Sequence, residues 1–98
     1  MSILAASKKV AGGRLVRVKL EVDDAVLQCV SITGDFFMHP EERISTLEKS
    51  LVGIRVLDVS SDVVYDRFLV DLKKVGDITL YGVSLRDMAV ETVVRAVG

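Results

Sequence analysis

The sequence predicts an α+β fold, a two-layer sandwich in which a small antiparallel sheet carries about three helices packed on one face. Three observations predict it. Apolar residues recur at every second position from Arg14 to Val22 and again, less strictly, from Val26 to Thr33, the period of half-buried strands. After the stretch Ile32-Thr33-Gly34-Asp35-Phe36-Phe37-Met38-His39-Pro40-Glu41-Glu42 the apolar period lengthens to three or four, the spacing of a helix face, so this stretch is the seam between sheet and helices. Finally, 98 residues is a single-domain length, and residues 1–98 are expected to share one modest core.

Taken in order, Met1 to Ala6 shows no pattern and reads as a frayed lead. Lys8 to Ala11 is compatible with a short edge strand running into Gly12-Gly13, a pair suited to a tight turn. In the first clear strand Val16, Val18, Leu20 and Val22 face one way and Arg17, Lys19 and Glu21 the other. Asp23-Asp24-Ala25 supplies turn-forming carboxylates. The second strand places Val26, Val30 and Ile32 toward the helices, with Leu27, Cys29, Ser31 and Thr33 on the opposite face.

Gly34-Asp35 ends that strand, and Phe36, Phe37 and Met38 follow as a bulky apolar group, either a plug for the local core or a knob for another chain. Pro40 suits the first position of a helix, where Glu41 and Glu42 complement the dipole. Ile44, Leu47 and Leu51 form its stripe, and Gly53 is a C-terminal stop. Ile54 to Val59 alternates weakly and reads as an extended connection. Ser60-Ser61-Asp62 offers N-cap chemistry for a second helix, with Val64, Phe68, Leu72 and Val75 on one face, Lys73 and Lys74 near its end and Gly76 closing it. Ile78-Thr79-Leu80-Tyr81 is either a small strand or a loop plugged into the core. Ser84 with Asp87 resembles a capping box for a last helix, whose stripe is Leu85, Met88, Ala89, Val93, Ala96 and Val97, widened by Val90 and Val94. So wide an apolar face implies burial on more than one side.

Thirteen basic and fourteen acidic side chains leave a net charge of −1, so no global field favours nucleic acid or an anionic membrane. No apolar run approaches the roughly 18 residues of a membrane span, and Met1 to Ser7 is too short for a secretory core. One cysteine, Cys29, excludes an internal disulfide, and an intracellular, cytoplasmic setting is expected. Half the residues are hydrophobic and mean hydropathy is +0.41, high for a small domain with no Trp. Either the core is unusually complete or another chain covers part of the surface.

Catalytic chemistry finds little support. His39 lies near Asp35, Glu41 and Glu42, but a metal needs three or four converging donors, and turn and dipole roles account for these residues. Cys29, in mid-strand, reads as a small packed hydrophobe. Gly12-Gly13 is followed by a strand and lacks the Gly-Lys-Ser/Thr of a phosphate loop. Lys8, Lys9, Arg14, Arg17 and Lys19 form a local basic cluster, either a solvated sheet face or a surface for a phosphate or an acidic partner.

The segment Lys9-Val10-Ala11-Gly12-Gly13-Arg14-Leu15-Val16-Arg17-Val18, then Ile32-Thr33-Gly34-Asp35-Phe36-Phe37 and Pro40-Glu41-Glu42, resembles the C-terminal accessory domain of lipoate-protein ligases. The specific part of the likeness spans about residues 9 to 53, and its motifs are structural. A chain this short beginning at its own methionine is similar to the separately encoded small subunit of a bipartite, archaeal-type ligase. The resemblance implies docking on a catalytic subunit that holds ATP, Mg and lipoate, a requirement for lipoyl-adenylate formation, and lipoyl-acceptor proteins as indirect partners. It implies no catalytic residue and no cofactor bound by this chain alone. The expected docking surface is the Gly12-Gly13 turn with Arg14 and Arg17, together with the seam residues Asp35, Phe36, Phe37 and Pro40. A self-associating interaction module and an independent small enzyme are the competing readings.

Overall fold

A computed structural model describes residues 2–9, 14–76, 78–81, 84–86 and 91–97. Strands β1 (Ser2–Lys9), β2 (Leu15–Asp23) and β3 (Val26–Gly34) form an antiparallel sheet in that order. The alternation of β2 is realised in full: Val16, Val18, Leu20 and Val22 are buried, whereas Arg17 and Lys19 are exposed. A two-residue turn joins β2 to β3, with Asp24 at φ 53° and Ala25 at φ 61°. Positive φ at both central residues matches the right-handed twist of the strands.

Three expectations are corrected here. Ser2 to Ala6 is not a frayed lead but most of β1, paired residue by residue with Val22 to Val18. Its weak contrast hid it, because small side chains occupy both faces. Leu27 is fully buried rather than outward. The register steps from Glu21↔Cys29 to Val22↔Leu27, so Gln28 is an extra residue on β3 and the bulge turns Leu27 inward. Pro40 does not open the first helix. Residues 40–42 form turns in which Pro40 O accepts from Arg43 N (3.1 Å) and Glu41 O from Ile44 N (3.1 Å), and α1 runs Arg43–Ser50.

Leu47 and Leu51 are fully buried and Ile44 partly so, as the stripe requires. Ile54 to Val59 becomes a buried Ile54, a bridge from Arg55 to Val26, and a 3₁₀ turn over Val56–Asp58. Helix α2 (Ser61–Val75) begins at Ser60, whose hydroxyl accepts from Val63 N at 3.3 Å, and buries Val64, Phe68 and Leu72. The run after Gly76 is a strand: β5 (Thr79–Tyr81) pairs antiparallel with β4 (Phe37–His39) in a separate two-stranded ribbon. Helix α3 (Glu91–Val97) buries Thr92 and Val93. Its expected lead-in, Asp87 to Val90, lies outside the described residues, as does the Gly12-Gly13 turn.

Helix α1 lies against β3, α3 lies over β1 and β2, and α2 packs on α1 and touches α3. The inward side chains of all these elements meet in one cluster centred on Leu20, Leu27, Leu47, Phe68 and Val93. Burial of such side chains stabilises by about 1.5–3 kcal/mol each before the entropy of ordering is set against it.

Candidate docking surface

Two neighbouring regions hold the candidate residues. The first is the seam. Gly34 ends β3 at φ 152°, and a Cβ there would stand 2.2 Å from Leu15 O and 2.9 Å from Val16 Cα, so only glycine lets β3 lie this close to β2. Next to it Asp35 N donates to Leu15 O at 2.8 Å, and Arg14 Nη1 donates to Asp35 O at 3.0 Å. Arg14 and Asp35, expected at the docking surface, are thus tied to each other across the open end of the hairpin. Phe36 and Phe37 part company: Phe36 packs partly against the core, whereas Phe37 is 49% exposed. Phe37 lies opposite Tyr81 in the β4–β5 ribbon, ring centroids 6.0 Å apart, while the next residue, Met38, opposite Leu80, is buried. Of the Phe36-Phe37-Met38 group, Met38 and in part Phe36 plug the local core, and Phe37 stays exposed. Phe37, His39, Pro40, Glu41 and Glu42 line an open hollow beside this aromatic pair.

The second region is the outward face of the sheet. Arg17 lies opposite Ser7 on β1 and Thr33 on β3, and Lys19 lies opposite Ala5 and Ser31. Short neighbours on both sides leave a shallow depression of about 560 Å³ along the two cations. Arg17 therefore does not join the seam residues in one cluster; it stands on the adjoining face. Cys29 is exposed further along the same face, and His39 on the outside of the ribbon. Among the described residues no three His, Cys, Asp or Glu side chains are grouped as metal ligands would be, and no helix is long and apolar enough to cross a membrane.

Some features escaped sequence reasoning. Tyr81 as partner of Phe37 depends on a pairing between distant segments that no local pattern announces. Lys8 forms an ion pair with Glu91, fastening α3 to β1. Ala5 and Ser7 as the floor of the outward face are legible only once β1 is known to be a strand.

No family model matches the chain. Lipoate-protein ligase A subunit 2 of Thermoplasma acidophilum is 38% identical over 52 residues, which is 53% of this chain and 54% of that protein. The alignment thus spans about half the length of the curated relative. A solved chain from the archaeal lipoylation system of the same organism, described as a bipartite lipoate-protein ligase and its E2 lipoyl domain, superposes over 99% of this chain and 96% of its own length, with a TM-score of 0.67 and 26% identity. The chain is similar to the second subunit of a bipartite lipoate-protein ligase. The resemblance to lipoate-protein ligases is borne out, and the superposition covers nearly the whole chain.

Proposed function

We propose that this chain is the accessory subunit of a lipoate-protein ligase and docks on a separate catalytic chain to enable ATP-dependent formation of lipoyl-adenylate. The observation that carries this reading is the mutual coverage, 99% and 96%, with a chain of the archaeal lipoylation system, taken with the 38% identity to a ligase subunit 2. ATP, Mg and lipoate are held by the catalytic chain, and lipoyl-acceptor proteins meet the complex there.

The physical contribution is positional. Adenylation needs a carboxylate and a phosphate held in reacting geometry with water kept out, and a small domain closing on the site orders its loops. The docking surface consists of Arg14, Asp35, Phe36, Phe37 and Pro40 at the seam, Arg17 on the adjoining face, and the Gly12-Gly13 turn. The exposed Phe37–Tyr81 pair supplies its apolar part.

Pyrophosphate release from ATP and lipoate tests the reading, measured for the catalytic chain alone, this chain alone and the mixture. Activity is expected in the mixture only. An Arg14→Ala/Arg17→Ala variant that stays folded is expected to lower that rate at least tenfold. Equal rates with and without this chain, and no complex, would refute an accessory role.

A further inference from the structure

The two edges of the three-stranded sheet differ. On β3, Leu27 donates to Ile54 O at 2.9 Å and accepts from Gly53 N at 2.8 Å, and the Ile32 amide donates to Glu48 Oε2 at 2.7 Å. On β1, no described group bonds to the outer backbone edge, which runs for eight residues from Ser2 to Lys9. Proteins blunt exposed edges with proline, charge, bulges or a covering segment. From Ser2 to Ser7 this strand has none of the first three: its sequence is Ser-Ile-Leu-Ala-Ala-Ser, and its register with β2 is unbroken. An edge this long and plain is a template for an added strand.

Charge specifies what that strand carries. Lys8 is satisfied by Glu91, but Lys9, Arg17 and Lys19 have no hydrogen bond or ion pair among the described residues. All three are exposed, as are Ala5 and Ser7 beside Lys19 and Arg17. A strand added to β1 would run about 5 Å from it and about 10 Å from β2. Over residues as short as Ala5 and Ser7, carboxylates on alternate positions of that strand reach the ends of Arg17 and Lys19. Lys9 stands directly beside them.

We propose that the free edge of β1 accepts, as a fourth strand, an extended segment of the catalytic chain that bears carboxylates on alternate residues facing Lys9, Arg17 and Lys19. This rests on the accessory-subunit reading, extends its docking surface from Arg17 to the edge of β1, and adds what chemistry meets it there. Backbone pairing supplies the attachment, and the cations set direction and register.

Hydrogen–deuterium exchange of this chain, free and mixed with the catalytic chain of a bipartite ligase from the same organism, tests it, with affinity measured for the wild type and for Arg17→Glu/Lys19→Glu. Both substituted positions are exposed, so the variant is expected to fold, as circular dichroism would verify. The expected result is slowed exchange across residues 2–9 on mixing, unchanged exchange along β3, and a dissociation constant raised at least tenfold by the variant and weakened by salt. A complex in which residues 2–9 exchange as in the free chain would overturn the edge assignment and leave the accessory role standing. Absence of any complex would remove both. Slowed exchange that appears with rising concentration of this chain alone would make the occupant a second copy, which also overturns it.

Discussion

Along β3 the outer edge is closed by the chain itself, through the segment after α1 and through a side chain of α1, whereas along β1 the corresponding backbone groups meet nothing among the described residues. The inward faces of both strands are packed, yet only β3 is held from the side as well. The difference separates two kinds of residue. Those on the closed side serve stability, because removing them orphans a backbone group or opens the core. Those exposed on the outward face of β1 and β2 make no side-chain hydrogen bond or ion pair among the described residues, and are free to serve a partner.

The largest expected effect is where β3 lies tightest against β2. Gly34→Ala would push a methyl into Leu15 O and Val16 Cα, and a loss of about 3 kcal/mol is expected in chemical denaturation, a large share of the stability of a domain of this size. If Gly34→Ala folds as stably as the wild type, the close approach of β2 and β3 is wrong. Next comes Glu48→Ala, which leaves the Ile32 amide without its acceptor and should cost about 1–3 kcal/mol. Ser7→Ala on the open side should stay within about 0.5 kcal/mol. Equal costs at these two positions would abolish the contrast between the edges. One further effect, also small, has the opposite sign. Ala25 holds φ 61°, a conformation glycine adopts without strain, so Ala25→Gly should raise stability by about 0.5–1 kcal/mol.

How much of this was legible depended on contrast and on distance along the chain. β2 was readable because bulky Val and Leu alternate with Arg, Lys and Glu. Helix α2 was readable because Ser60 and Gly76 suit its two ends and Val64, Phe68 and Leu72 recur between them at helical spacing. β1 was not, since Ala5 and Ala6 differ little although they occupy opposite faces. Leu27 was misplaced because one inserted residue reverses a period of two, and nothing in Gln28 marks it as the insertion. The β4–β5 ribbon joins Phe37 to Tyr81, and only the folded chain brings them together. The candidate surface follows the same rule. Arg14, Asp35 and Pro40 were found through a resemblance in linear sequence, whereas the depression beside Arg17 and Lys19 needed β1 in place.

The ion pair between Lys8 and Glu91 spans 83 positions, and it fastens the first strand to the last helix. Order of assembly follows from that separation. The β2–β3 hairpin closes through a two-residue turn and can form on a microsecond timescale, long before the chain's ends find each other. Packing of β1 and β2 under α3 must wait for the larger loop to close, so that part of the sheet's inward face is secured late. On a ribosome, this places completion of the sheet's open side after the last helix has emerged. Until then a nascent chain presents β1 with its inward face as well as its edge uncovered, and early capture by a partner strand would shorten that exposure.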